Sequence, residues 1–585
     1  MNVINALLSL ETSHAVVDRS MSPMFSNFGL CFDAQSAAGK LVLHYNRFTR
    51  TLWEPFIDFS GAGEVRPTFA STRIINENTD CEIVFYDTDA FIVCGRTAAA
   101  ARLFCVPDAA LGEIWTAYRD EKTLILQGYS ENGDARDPDR YAPVACGVRV
   151  LRGTLSAGAG ETLILPEEDG GVLFAVVCRV LDFEIDEIKD RLAAAPGTAE
   201  VAKEKMRAWA ENAAGGIDFL PEDDRTRSAV LTAVSGLLMN LTAAPGNLAG
   251  YLSAFPSRGG YPTHFMWDSA FQNLAYELMS GRVAADTLLL LARCARPDGK
   301  IPQFNCSTWE RPHETQPALL GWAAKRYAER VGIENLAPGF VETIYDALSR
   351  NNKWWLTGRA TKYGLIYCPH GLETGQDDSP RFDDGPVIAV DMNSYLLSQM
   401  RAAAYFASLA GDAEGEAYWN AEAERFGALM IKHLYDPEKN LFFDADLNTG
   451  RPLSLVTLSS LIPLWAGVPL PEEKIRAMIE DYLLNEKYFF GAVPFPSVAY
   501  CEEKYEHAHW WRGPTWMPVA WLMLEILEKY GYQTERETAA NRLFDIMKKD
   551  GELHELFDSQ TGEGLGCAEQ GWTAAIFLRL AAEKE

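Results

Sequence analysis

The chain has 585 residues, 48% of them hydrophobic and 23% charged, with a formal charge of −28 and a pI near 4.8. That is the make-up of an ordinary globular protein of two or more domains. Its acidity argues against nucleic acid or an anionic membrane as partner, since either would need a basic face to displace counterions, and it points to a neutral substrate.

The opening residues, MNVINALLSLETSHAVVDRS, lack a basic n-region and carry only a short apolar stretch, so no secretory signal is expected and a cytoplasmic location follows. No apolar run approaches bilayer length. The eleven cysteines are odd in number and scattered, several inside apolar runs such as FIVCG, with no CxxC pair. They read as reduced core residues rather than zinc or redox ligands, and no cofactor or metal is expected.

Up to Val180 the chain alternates short β-branched and aromatic runs (KLVLHYNRFT, CEIVFYDTDAFIVCG, KTLILQGYS, CGVRVLRGTL, GVLFAVVCRV) with Gly, Asp and Asn. Such spacing predicts an antiparallel β-sandwich over residues 1–181. Residues 182–219 are charged and Ala-rich with helical spacing and one Pro break, and are read as a helical linker.

Residues 220–585 then read as helices almost without interruption: near 223–242, 267–281, 284–296, 316–331, 337–357, 391–410, 412–434, 454–466, 471–484, 514–530, 533–549 and 569–583. Twelve such helices fit an α-solenoid or a closed double ring, the (α/α)6 barrel. Long polar, aromatic loops precede alternate helices: SRGGYPTHFMWD, NCSTWERPHETQP, ETGQDDSPRFDD, EHAHWWRGP and TGEGLGCAEQGW. In a double ring the alternate helices are the inner ones and their N-termini share one mouth, so these loops would converge, which favours the ring.

Trp267, Trp309, Trp510, Trp511, Trp516 and Trp572 lie in or beside these loops, although one of the Trp510–Trp511 pair fits a core position. Indole faces stack on sugar rings while acids and amides bond hydroxyls, so carbohydrate is the expected partner. Glycoside hydrolysis needs two carboxyl groups on opposite sides of one bond. The stretch Glu373 to Asp384 offers one, and the loop from Asp550 to Trp572 the other. They precede the sixth and twelfth helices, half a turn of such a ring apart.

The ordered set FMWDSAF, QP, TGQDDSPR, VDMNSYL, WWRGPTW and HELFDSQTGEG…GW resembles the catalytic domain of glycoside hydrolase family 63, over residues 220 to 585. The family's mannosyl-oligosaccharide glucosidases and mannosylglycerate hydrolase-like enzymes are inverting α-glycosidases on an (α/α)6 barrel, often behind a β-sandwich, and trehalases share the clan. The resemblance implies Asp377 as general acid and Glu555 as general base. It implies a sugar subsite at Trp267 and Asp268, with Phe265 and Gly375 in the same motifs. Gln316, Arg512, Gly513, Trp516, Glu563 and Trp572 match further substrate-binding positions.

Asp378 competes with Asp377 for the acid's role. Arg381 fits a substrate contact or an ion pair with Asp383 or Asp384, and Asp391 and Asn393 fit binding or simple helix capping. The expected activity is an inverting, exo-acting α-glycosidase, an α-glucosidase acting on a disaccharide or small α-glucoside. A trehalase or a mannosylglycerate/glucosylglycerate-type hydrolase is the alternative, ahead of a glycoside phosphorylase or a non-catalytic sugar-binding protein.

Overall fold

The computed structural model describes residues 3–8, 21–22, 30–35, 40–45, 49–50, 53–58, 64–67, 69–87, 90–107, 115–132, 141–158, 161–180, 183–243, 246–257, 261, 263–305, 310–311 and 313–585. The chain forms two compact units: Met1–Leu220 with Leu238–Ser253 and Cys306–Trp309, and Pro221–Leu237 with Ala254–Asn305 and Glu310–Glu585.

In the first unit, after the helix α1 (Val3–Leu8), the strands of both sheets pair antiparallel among the described residues. One sheet has seven strands and the other nine. Strand Thr79–Asp87 shows why: its β-branched and aromatic residues are buried while Asp80 and Asp87 stay exposed, the half-buried pattern that suits a pleated surface. The two helices α2 (Ile185–Ala193) and α3 (Ala199–Ala214) follow.

The segment expected as a linker is part of this unit's core. Ile188, Leu192, Ala199 and Ala202 are buried with Val84, Ile92, Ile125, Ala145, Ala175 and Val177 of the nine-stranded sheet. Gly147 makes the approach possible: a Cβ there would stand 2.7 Å from Leu192 and 2.9 Å from Ile188. The charged residues that suggested a solvated linker lie on the outer face of an amphipathic pair, whose small and aliphatic face meets the sheet.

The second unit is helical: α4 (Asp224–Met239), α5 (Met266–Met279), α6 (Gly281–Arg293), α7 (Leu320–Val331), α8 (Phe340–Gly358), α9 (Val390–Leu409), α10 (Ala413–Leu434), α11 (Ile462–Ala466), α12 (Glu472–Met478), α13 (Met517–Lys529), α14 (Gln533–Asp550) and α15 (Gly571–Ala582). The odd-numbered helices from α5 to α15 pack each on the next, and α15 packs back on α5, closing the cycle. They are buried on nearly every face, as in α5, where Leu278 alone is less than fully buried. Helices α6, α8, α10 and α14 lie against them from outside. The eleventh helix is shorter than predicted. Residues 457 and 458 are bridged to 497 and 498 in an extended pairing, one 3-10 turn follows, and Pro463 sits in the first turn of α11, where its missing N–H costs nothing.

Toward the C-terminal ends of the inner helices, ion pairs and indoles tie the cycle together. Arg326 on α7 donates to Glu277 on α5 and Glu525 on α13, each at 2.9 Å. Arg579 on α15 reaches Glu277 at 3.4 Å, and the indole N–H groups of Trp465 on α11 and Trp521 on α13 donate to Glu525 at 2.7 and 2.9 Å. Glu277 is 2% exposed, so removing it takes one carboxylate partner from each of two arginines. Breaking such a pair by deleting one partner costs about 3 kcal/mol or more. Glu277→Ala is therefore expected to lower the urea midpoint of the helical unit by a corresponding amount, whereas Glu329→Ala, in an exposed pair with Lys325, leaves it within experimental error.

Candidate active site

The loops entering the inner helices meet in one pocket of about 420 Å³ within the helical unit, lined by Tyr261, Phe265, Trp267, Asp268, Gln303, Gln316, Gly375, Asp377, Trp510, Trp511, Trp516, Glu555, Gln570 and Trp572 with Pro256. Nine of the residues expected from sequence are thereby brought together: Phe265, Trp267, Asp268, Gln316, Gly375, Asp377, Trp516, Glu555 and Trp572. Trp309 lies outside the described residues.

The indoles form one cluster. Trp511 and Trp516 stack at 3.8 Å and 6°, and Trp267 stands 5.8 Å from Trp511 and 5.6 Å from Trp572. Both members of the Trp510–Trp511 pair line the pocket, and the Trp516 indole N–H donates to the Trp510 carbonyl at 3.0 Å. The Gln316 side chain accepts the Trp267 backbone N–H at 3.1 Å. Gly375, at φ +70°, turns the loop that carries Asp377 directly under Trp267, where a Cβ would come within 2.5 Å of the ring. Only glycine meets both demands.

Asp377 and Asp378 diverge from this turn. Asp377 opens on the pocket, while Asp378 accepts the Trp511 backbone N–H at 2.9 Å and lies 3.4 Å from His509. Glu555 is 3% exposed. Its Oε2 accepts the Cys567 N–H at 3.2 Å, the Tyr261 hydroxyl also donates to its carboxylate, and its carbonyl accepts the Trp572 indole N–H at 3.0 Å.

Three carboxyl groups share this apolar setting. Burial, reinforced by the neighbouring Asp378 and opposed by the Arg311 cation, pushes Asp377 up to about 6. Burial pushes Glu555 up to about 7 against the pull of the Cys567 N–H and Tyr261 hydroxyl, with Asp377 adding to the rise. Asp268 is raised well above the usual carboxylate range by burial and then by Glu555 and Asp377. Their protons belong to the trio rather than to separate sites. The hydrogen bonds received by Glu555 favour its ionised form, while the adjacent carboxylate of Asp378 favours protonation of Asp377.

The remaining expected residues have other partners. Arg381 is 4% exposed and held by Asp391 and Asp444 rather than by Asp383 or Asp384, so its guanidinium points away from the pocket into the protein. Asp391 is consumed in the same pairing. Asn393 bonds the backbone of Ile366 and Ala389. Arg512 pairs with Asp383 at 2.5 Å, Gly513 packs against the Glu506 backbone, and Glu563 is exposed. Sequence reasoning did not single out Tyr261, Gln303, Gln570 or Arg311, although all lie in or next to the motif loops. An amide or hydroxyl among such residues carries no pattern of its own. Gln570 is fully buried with neither amide atom bonded, and the Gln303 Oε1 is likewise unbonded among the described residues. Among the same residues no cluster of three or more His, Cys, Asp or Glu is arranged for a metal.

Residues 261–573 match the family model of the mannosylglycerate hydrolase MGH1-like glycoside hydrolase domain. Mannosylglycerate hydrolase MGH1 of Selaginella moellendorffii is 24% identical over 480 residues, covering 68% of this chain and 94% of that protein. Glucosylglycerate hydrolase of Mycolicibacterium hassiacum is 25% identical over 412 residues, covering 54% and 91%. The structure of the GH63 mannosylglycerate hydrolase from Thermus thermophilus in complex with Tris and D-glycerate superposes with a TM-score of 0.53 at 22% identity, over 60% of this chain and all of that one. This last likeness concerns the fold.

Because burial raises Glu555 to about 7 in the folded protein while the unfolded chain releases the proton near 4.5, the group's penalty is absent at low pH, grows as pH rises from 4.5 to 7 and is fully present above 7. Glu555→Gln removes that penalty. The variant is expected to be more stable than the parent at pH 8, by up to about 3 kcal/mol, with the difference vanishing by pH 4. Denaturant melts at the two pH values measure it, and an equal difference at both would contradict the buried-carboxyl account.

Proposed function

The chain belongs to the MGH1-like glycoside hydrolases of family 63, and from that premise we propose that it is an inverting, exo-acting α-glycosidase with Asp377 as general acid and Glu555 as general base. The observation that carries the reading is the placement of the pair itself: two carboxyl groups from loops before α9 and α15 that open on one indole-lined pocket. Asp377, whose protonated form is favoured by burial and by Asp378, would protonate the leaving oxygen. Glu555, kept in place by Cys567 and Tyr261, would take a proton from the attacking water. The packing cycle of the inner helices supports reading the unit as an (α/α)6 barrel, and the two sheets as a β-sandwich.

For the substrate we favour an α-glycoside with a small carboxylate-bearing aglycone of the glycerate type. Arg311 supports it as the cation that acts on Asp377 from behind the lining, its guanidinium paired with Glu314 at 2.9 Å. The names of the relatives point the same way. The sugar would lie among the indoles, with Gln303 and Gln570 bonding its hydroxyls. A second reading, a neutral α-glucoside such as a disaccharide, draws on the lining itself, which among the described residues contains no Lys or Arg. Assays of mannosylglycerate, glucosylglycerate and α-linked disaccharides, with products identified, separate the two. Arg311→Met should raise KM for a glycerate glycoside and leave a neutral disaccharide unaffected if the first reading holds.

Asp377→Asn should reduce kcat on an unactivated glycoside by at least ~10²-fold, and much less on a glycosyl fluoride, whose leaving group needs no proton. Asp378→Asn behaving so in its place would move the acid by one residue. In an inverting enzyme the carboxyl groups stand roughly 6.5–9.5 Å apart to admit a water, so proton NMR in the first minutes should show the β-anomer released from an α-linked substrate. Initial release of the α-anomer would overturn the mechanism.

A further inference from the structure

Beneath the acid loop lies a polar cluster none of whose members lines the pocket. Arg381 donates from Nε and one terminal nitrogen to both oxygens of Asp444, each at 2.7 Å, and from its two terminal nitrogens to both oxygens of Asp391, at 2.6 and 2.7 Å. The side chain of Gln376, which precedes Asp377, is built into the same cluster. Its Oε1 accepts from Arg381 at 3.1 Å, and its Nε2 donates to Asp391 at 3.1 Å and to the Ser459 hydroxyl at 3.0 Å. Ser459 accepts from Arg381 and donates to Asp391. Asp444 also accepts the Val390 N–H, which fixes the first turn of α9 to the same point. All five residues are at most 8% exposed.

The cluster joins four separate pieces of chain: the acid loop, the start of α9, the turn at 444 and the 3-10 turn before α11. On the other side of Asp377, Asp378 is fixed by the Trp511 N–H. The general acid is thus a single residue held between two anchored neighbours. Buried ion clusters contribute little net stability compared with apolar packing, and where they have a role it is in fixing one geometry. The groups that set the charge state of Asp377 are its burial, Asp378 and Arg311, not this cluster.

Resting on the reading of Asp377 as general acid, we propose that Arg381 and Asp444, with Gln376, Ser459 and Asp391, are positioning residues for Asp377, setting its carboxyl against the leaving oxygen through geometry rather than charge. Asp444, which is 67 positions from Asp377 in sequence and belongs to none of the motifs, is the member that locks the arginine fork. An amide at Asp444 would face three donors with one acceptor, releasing the fork.

The test compares Asp444→Asn with Asp377→Asn on two substrates, the unactivated glycoside and the α-glycosyl fluoride of the same sugar. A misplaced acid should lower kcat on the glycoside by roughly 10-fold or more, with KM within about twofold and a clearly smaller fall on the fluoride. Ser459→Ala, which removes one node of the cluster without creating a buried charge, should show the same selectivity at smaller size and keeps the test valid if Asp444→Asn does not fold. Equal losses on both substrates for both variants, or no loss for either, would mean a merely structural cluster. If Asp377→Asn itself shows no leaving-group selectivity, the acid assignment fails and the positioning inference fails with it.

Discussion

Closure of the inner helices into a cycle is the constraint from which the site follows. Once α15 packs on α5, the segments that enter α5, α7, α9, α13 and α15 have to converge, whatever their distance in sequence. Nearly complete burial of these helices supplies the driving force. The arginine–glutamate–indole network at their other ends pairs the charges that this burial would otherwise strand. One end of the cycle is therefore closed by charges that neutralise one another, and the other carries charges that do not.

At the open end the balance is deliberately poor. Asp268, Asp377 and Glu555 are all pushed toward their protonated forms by the same loss of water. Stacked indoles line the site, and the ring N–H groups of Trp516 and Trp572 are used on backbone carbonyls. Backbone strain gathers nearby: among the described non-glycine residues with positive φ, Phe495, Trp510, Leu553 and Glu569 all lie in the segments leading to α13 and α15. Strain and desolvation of this kind persist only where surrounding packing over-determines the conformation, which the cluster around Arg381 and the closed cycle provide.

The sequence carried the helices and the motif loops because both are local. Buried faces recur with helical spacing, and Trp, Asp and Gly crowd the loops before alternate helices. It also carried the pairing of Asp377 with Glu555, through motifs in a recognisable order. Where the reading departed from the structure, the missing quantity was always a partner. The Ala-rich helices α2 and α3 looked like a linker because their sheet-facing side is small rather than strongly apolar, and only Gly147 and its neighbours reveal what they cover. Arg381 sits beside Asp383 and Asp384 in sequence, yet its guanidinium is taken by Asp391 and Asp444, since burial rewards the fork that fits two carboxylates over the nearest charge.

By itself, then, the sequence determined the order of elements and the aromatic and acidic residue types that crowd the mouth, all properties written within a few residues of each other. Only the tertiary structure decided which of two adjacent aspartates faces the pocket, that both Trp510 and Trp511 line it, that Tyr261 and Cys567 hold Glu555, and that Asp444 reaches back to the acid loop. These depend on directions and distances between segments remote in the chain, and burial and hydrogen bonding, not sequence proximity, set them.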